Sequence, residues 1–419
     1  MDRLSIYGPT RLKGEVTVAG AKNSVLPILA ASIISDKEVV ILDCPKLLDV
    51  DYMLKIMTMV GCKVKREGST VVVDSSGVDQ WVLPDQLVKE MRSSVILLGS
   101  ILGKLGKVQL TYPGGCEIGL RPIDLHLKGL KQLGTIINEE NGHLYCEAKE
   151  LVGTDIHLDY PSVGATENIM LASVFARGRT IIRNAAKEPE IVDLQDFLNV
   201  LGCNIYGAGT STIYIEGFSR INRVEYRIIP DRIVAGTYML AAAITQGYVL
   251  IKNIIPQHIH TVLVKLKECG CDVTNHKNSI RVRGKGRLKA KDVIKTLPYP
   301  GFPTDMQAPM MAAMSVADGT TVFIETIFEN RYKHVQELVR MGAQIHVDGR
   351  TAIVKGVERL NGCQVTAHDL RGGAALVLAG LAAHGNTVVN NVKYIDRGYD
   401  GLDKALNQLG ARIDRISCV

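Results

Sequence analysis

Apolar residues in this chain alternate between two helical rhythms and a strand rhythm, and the alternation repeats. One helical stretch, such as Asp196-Phe197-Leu198-Asn199-Val200-Leu201, is apolar along one face. Another kind, such as Leu26-Pro27-Ile28-Leu29-Ala30-Ala31, Ile169-Met170-Leu171-Ala172 and Ala374-Ala375-Leu376-Val377-Leu378-Ala379, is apolar all round and predicts a helix buried on every side. Short β-branched runs follow the second kind: Val39-Val40-Ile41, Thr180-Ile181-Ile182, Thr321-Val322-Phe323. Each amphipathic stretch ends on one phrase: an apolar residue, a glycine, a small residue, any residue, a β-branched residue. Its six copies place glycine at 61, 134, 202, 270, 342 and 410, separated by 73, 68, 68, 72 and 68 residues. Glycine just past a helix is a C-cap. The predicted unit is a buried helix, a strand, an amphipathic helix and a hairpin, used six times. Asn141-Gly142, Asp348-Gly349 and Glu67-Gly68 supply the hairpin turns.

Six units in 419 residues exceed one core. The division that follows is two domains of three units, residues 22–229 and residues 1–21 with 230–419, with Asn222–Pro230 as the connection. No apolar run is long enough to span a membrane and no signal-peptide core follows Met1, so a cytoplasmic protein is expected. The net charge of +6 comes from scattered cations and suits acidic small substrates better than nucleic acid. The nine cysteines include no CxxC pair, and Cys62, Cys203, Cys269 and Cys271 read as small core residues. His258 and His260 read as polar loop residues, and no metal is expected.

Chemistry concentrates at the starts of the buried helices. Lys22-Asn23-Ser24, Arg92-Ser93-Ser94, Pro230-Asp231-Arg232 and Asp369-Leu370-Arg371 mix capping residues with cations that oppose a helix dipole. A bound anion would reconcile them. A helix of ~14 residues and a strand of ~6 cover about the same length, so the loop after each first strand returns to the helix start. Those loops carry Lys46, Lys187, Arg331 and Arg397. Both domains are thus expected to present a basic end toward a multiply anionic substrate. Cys116 alone among the cysteines sits in a glycine-rich loop, Tyr112-Pro113-Gly114-Gly115-Cys116.

Gly20-Ala21-Lys22-Asn23-Ser24, the run from Tyr112 through Arg121-Pro122-Ile123-Asp124-Leu125-His126, Pro303-Thr304-Asp305-Met306-Gln307, Asp369-Leu370-Arg371-Gly372-Gly373 and Ile395-Asp396-Arg397-Gly398-Tyr399 resemble the UDP-N-acetylglucosamine 1-carboxyvinyltransferase family of enolpyruvyl transferases. The resemblance runs end to end. It implies a two-domain inside-out α/β barrel, helices inside and sheets outside, with the first twenty residues completing the second domain. It implies transfer of the enolpyruvyl group of phosphoenolpyruvate to the sugar 3-hydroxyl, without cofactor, by a monomer or weak oligomer that closes on its substrates. Cys116 is implied as the acid and the thiol alkylated by fosfomycin, and Asp305 as the base. Lys22, Asn23, Arg121, Arg331, Arg371 and Arg397 are implied around phosphoenolpyruvate, Lys22 and Arg397 also in catalysis. Asn23, Arg92, Arg121, Pro122, Ile123, Asp124, Leu125, His126, Ser162, Val163, Gly164, Asp305 and Ile327 are implied around the nucleotide sugar. Lys46, Glu190, Asp231 and Asp369 are weaker implications, and Tyr160 replaces a lysine found in some members. The alternatives are 3-phosphoshikimate 1-carboxyvinyltransferase and a non-catalytic nucleotide-sugar-binding paralogue.

Overall fold

A computed structural model describes residues 2–114, 123–217 and 221–417. They form two compact units. One runs from Gly20 to Ile229, and the other joins the segment ending at Ala19 to the chain from Pro230 onward. Each has its own apolar core.

Three helices line the inside of the 20–229 unit: Lys22–Ser32, Leu97–Leu105 after a 3-10 turn at Arg92–Ile96, and Val163–Ser173. Burial follows from sequence. Every residue of Lys22–Ser32 except Asn23 is buried, as its lack of a polar face predicts. By contrast, Leu48–Met59 buries Asp49, Val50, Met53, Ile56 and Met57 at helical spacing, and lies between core and solvent. The other unit repeats the plan. Its inner helices are Arg232–Ile244, Gln307–Met314 and Leu370–Ala382.

Three sheets cover each set of helices. In a typical one, Asp155–His157 lies parallel to Arg179–Arg183, with helix Val163–Ser173 between them in the chain. The hairpin Asn204–Tyr206 and Thr212–Glu216 completes it antiparallel. All six cap glycines have φ between 92° and 121°, the left-handed side that a Cβ resists. Asn141 and Gly142 make the expected two-residue turn, with φ of 51° and 77°. The other two hairpin turns shift by one residue: Glu67 and Asp348 end strands, and the turns are Gly68-Ser69 and Gly349-Arg350.

The connection expected at Asn222–Pro230 is instead partly a strand. Val224–Arg227 lies parallel to Val39–Leu42. Its reason is an exchange. Lys13–Thr17, the strand that leads into helix Lys22–Ser32, pairs with Tyr248–Lys252 in the other unit's sheet. The first repeat therefore takes its parallel strand from residues 224–227. Where the chain crosses, Ala21 N–H donates to the Ile229 carbonyl at 2.7 Å and Asp231 N–H to the Ala19 carbonyl at 3.0 Å. Among the described residues no helix is long and apolar enough to cross a membrane.

Candidate active site

The loop after each first strand does return to the start of the inner helix. Arg92 Nη1 donates to the Pro113 carbonyl at 3.3 Å, and Ala186 N–H to Thr166 Oγ1 at 3.1 Å. In the other unit Arg331 reaches Thr304 and Asp305, and Gly398 packs against Leu370.

In the 20–229 unit, Lys22 is the first residue of its helix and is nearly buried. Its ammonium lies 2.7 Å from Asp49, in the first turn of Leu48–Met59. Asn23 beside it is exposed. Ser162 caps helix Val163–Ser173, accepting from Ala165 N–H at 3.3 Å. His126 is buried in helix Asp124–Gln132 against Gly164, and Asp124 is exposed and Leu125 half-buried. The structure thus groups Ser162, Val163, Gly164, Leu125 and His126, with Ile123 buried at the start of the same helix. Lys46 is exposed on its loop and Tyr160 is exposed. Cys116, Arg121 and Pro122 lie outside the described residues.

In the other unit, one carboxylate organises the site. Asp305 Oδ1 accepts from Arg331 Nη2 at 2.6 Å, and Asp305 Oδ2 accepts from Arg371 Nη2 at 3.0 Å. Both guanidinium side chains are under 5% exposed, whereas the Asp305 side chain is 26% exposed. Charge-assisted bonds of this kind are short and directional, so the carboxylate is held by two oriented donors while one edge meets solvent. Burial is the largest single influence on Arg371 and opposes its charge, but Asp305, Tyr399 and Asp231 together outweigh it and hold the guanidinium protonated. Arg371 also lies 5.3 Å from the Tyr399 ring. Asp231 and Asp369 are helix caps. Asp231 Oδ1 accepts from Ile233 and Val234 N–H at 2.9 Å each, and Asp369 Oδ1 from Arg371 and Gly372 N–H at 3.0 and 2.9 Å. Arg397 is half-buried at the end of the short helix Lys393–Asp396.

Sequence reading missed the residues that hold these groups. Asp49 partners Lys22, yet it reads as an ordinary acid in a helix's first turn. Buried Glu325 accepts through Oε1 from Thr296 Oγ1 at 2.9 Å, Ile327 N–H at 2.9 Å and Phe328 N–H at 3.2 Å. Its Oε2 accepts from Thr304 Oγ1 at 3.0 Å. It therefore fixes the Ile327 loop to the residue beside Asp305. Its only signal was a carboxylate at the end of an apolar strand. Glu167 is buried on helix Val163–Ser173, and burial, then Glu190 and Glu188, pushes its carboxyl well above the usual range. Buried His334 is pulled down to about 4, chiefly by burial, with Asp369 acting the other way. Among the described residues, no group of three His, Cys, Asp or Glu side chains is placed to hold a metal. His258 lies in a 3-10 turn and His260 begins a helix, rather than both lying in a loop.

The described cysteines are free thiols. Cys44, Cys62, Cys146, Cys203, Cys269 and Cys271 are buried and Cys363 is half-buried. Burial pushes the Cys146, Cys203 and Cys271 thiols up to about 12. They are inert core residues.

A sequence model described as EPSP synthase (3-phosphoshikimate 1-carboxyvinyltransferase) matches residues 6–413. A protein of Caldanaerobacter subterraneus subsp. tengcongensis named UDP-N-acetylglucosamine 1-carboxyvinyltransferase 2 is 53% identical over 416 residues, covering 99% of this chain and 100% of its own. A Finegoldia magna protein named UDP-N-acetylglucosamine 1-carboxyvinyltransferase is 49% identical over 420 residues, 99% of each chain. Among solved structures, the enolpyruvyl transferase NikO from Streptomyces tendae superposes with TM-score 0.89 at 26% identity, covering 100% of this chain and 99% of its own. EPSP synthase from Acinetobacter baumannii shares the fold at TM-score 0.76 and 19% identity, with 100% of both chains covered. The chain belongs to the EPSP synthase family of enolpyruvyl transferases, and within it to the UDP-N-acetylglucosamine 1-carboxyvinyltransferases.

Proposed function

We propose that this enzyme transfers the enolpyruvyl group of phosphoenolpyruvate to the 3-hydroxyl of UDP-N-acetylglucosamine and releases phosphate, the committing step of peptidoglycan precursor synthesis. The observation that carries this reading is the identity of about half the residues over nearly the full length with relatives of that name. The geometry supports it. Phosphoenolpyruvate carries a carboxylate and a phosphate, and Lys22, Arg331 and Arg371 are cations oriented by Asp49 and Asp305. With Asn23, Arg121 and Arg397 they are the groups we assign to it. To the nucleotide sugar we assign Asn23, Arg92, residues 121–126, Ser162, Val163, Gly164 and Ile327.

The chemistry requires an addition and an elimination. The sugar oxygen bonds to C2 of phosphoenolpyruvate as a proton reaches its methylene carbon. Phosphate then leaves C2 and the neighbouring methyl carbon, protonated in the first step, loses a proton, restoring the double bond. Cys116 is assigned as the acid at the methylene carbon and Asp305 as the base at the sugar hydroxyl. Asp305 suits that role because both oxygens are oriented while part of the group stays accessible. We place the reaction in the cytoplasm, where a reducing environment keeps thiols free.

Phosphate release is the test. Release with UDP-N-acetylglucosamine and none with 3-phosphoshikimate is expected; the reverse pattern overturns the assignment, and release with neither acceptor indicates a binding paralogue. For Cys116, intact mass after fosfomycin should gain one adduct at that residue. An adduct mapped elsewhere, or normal turnover by Cys116→Ala, removes it from the acid role.

A further inference from the structure

Asn168 is a fully buried polar side chain that the reaction scheme leaves without a role. It lies midway along the inner helix Val163–Ser173, among apolar residues. Its Oδ1 accepts from Gly99 N–H at 2.8 Å, and its Nδ2 donates to the Val95 carbonyl at 2.9 Å. Gly99 and Val95 stand four residues apart, the spacing that an α-helix bonds to itself. They flank the point where the 3-10 turn Arg92–Ile96 passes into helix Leu97–Leu105. The approach needs glycine: a Cβ on residue 99 would meet the Asn168 carbonyl oxygen at 2.3 Å.

These two backbone partners are of opposite kind, so they fix which end of the amide is oxygen and which is nitrogen. A flipped amide satisfies neither. The second hydrogen of Nδ2 then points to His126 Nδ1, 2.7 Å away. That ring nitrogen must accept, and in neutral imidazole the other one, Nε2, carries the proton. The Nε2 edge of the ring faces Gly164 in the first turn of the capped helix: a Cβ there would lie 2.9 Å from Cε1 and 3.2 Å from Nε2.

We propose that Asn168 is a positioning residue for the nucleotide sugar. One carboxamide ties together the helix led by Arg92, the helix that carries His126 and the helix capped by Ser162. It also sets the His126 tautomer so that Nε2–H is a donor. Diphosphate and carbonyl oxygens of a nucleotide sugar are acceptors. The opposite tautomer would present a lone pair to them. The proposal rests on the reading of His126 as a nucleotide-sugar contact.

The wild-type enzyme provides the first test. Long-range ¹H–¹⁵N correlation on ¹⁵N-histidine protein, with His126 assigned by its loss in His126→Gln, should show Nε2 protonated and Nδ1 as acceptor. A protonated Nδ1 in the neutral ring overturns the proposal without any variant of Asn168. Kinetics provide the second. His126→Gln and Asn168→Ala should each raise KM for UDP-N-acetylglucosamine roughly tenfold, the scale of one lost hydrogen bond, with KM for phosphoenolpyruvate within about twofold. Asn168→Ser, which keeps one donor and one acceptor, should recover part of the loss. If His126→Gln leaves KM unchanged, the reading of His126 fails. If His126→Gln raises KM and a folded Asn168→Ala does not, the positioning role fails while that reading stands.

Discussion

Acids are held by different partners in the two units, although the repeat is the same. In the unit from Gly20 to Ile229, Glu167 is buried near other carboxylates and Asp193 is buried among neutral donors. Asp193 accepts from Ser24 Oγ and from Tyr226 Oη at 2.6 Å, with Ile229 N–H at 3.5 Å. Burial pushes it up to about 6, although the three donors pull the other way. In the other unit, Asp305 lies between two guanidiniums, and Asp231 and Asp369 cap helices with paired backbone donors. Lys22–Asp49 brings the second strategy into the first unit, and buried Glu325, held by hydroxyl and backbone N–H donors, brings neutral donors into the other. The contrast teaches that an inside-out repeat can hold an acid in two ways. Desolvation favours the proton, and cations or helix N–H groups favour the charge. The paired form is the one poised for chemistry on anions.

The largest test of the contrast is Asp305. Asp305→Ala should lower turnover roughly 10²–10⁴-fold, the usual range for a positioned acid or base, with a smaller effect on nucleotide-sugar affinity by calorimetry. Near-normal turnover would show that the pairing is structural only. Asp305→Asn, which keeps the shape but removes the charge, should lose turnover to a similar degree.

Burial of a titratable group is also a stability statement, and two such groups, one in each unit, should answer pH with opposite signs. Asp193 has its folded pKa raised, so the folded protein holds that proton more tightly. Its stabilising share is full below about 4 and is lost as pH rises through about 6. The loss is on the order of 3 kcal/mol. His334 is the reverse. Its folded pKa is lowered to about 4, so its share is full above about 6.5 and is lost as pH falls toward 4, on a similar order of about 3 kcal/mol. Both His334 ring nitrogens are buried. Urea unfolding of wild type, Asp193→Asn and His334→Leu between pH 4 and 7.5 should show each variant flattening its own limb. A single limb removed by both variants would break the comparison.

The smallest expected effect concerns Glu325. Glu325→Gln keeps one acceptor oxygen but replaces the other with a donor facing a hydroxyl or N–H. We expect a few-fold rise in KM for UDP-N-acetylglucosamine, the scale of a weakened hydrogen bond, with turnover nearly kept. No change in KM would detach the Ile327 loop from substrate contact.

Much of the scaffold was legible because it rests on periodicity and on glycine. The inner helices announced themselves by lacking a polar face, and all six cap glycines adopt positive φ. The strand at Val224–Arg227 was hidden in a segment rich in polar residues, although Val224 and Tyr226 alternate with Glu225 and Arg227. Its pairing depends on where a strand two hundred residues away goes, which no local pattern records. At the site, the cations were visible because they sit in defiance of helix dipoles. Their partners were not. Asp49, Glu325 and Asn168 are ordinary letters in ordinary elements, and only the folded chain brings Asp49 to Lys22 or Asn168 to His126.

The exchanged strand has a consequence for synthesis on the ribosome. The described chain from Gly20 to Ile229 carries every strand of its own three sheets, so it is a contiguous guest within a discontinuous host. The host's first strand, Arg3–Gly8, is an inner strand of its sheet, flanked by Gly385–Asn390 and Ile413–Ile416. At about 5–20 residues per second it waits on the order of tens of seconds for those neighbours to be made. The guest can complete its core during that wait, while the host's N-terminal strands remain unpaired. Pulse-labelling of stalled nascent chains should find residues 20–229 protease-resistant well before residues 3–17. A polypeptide restarted at Gly20, with residues 1–19 moved behind Val419 on a flexible linker, would let each unit fold in the order it is read.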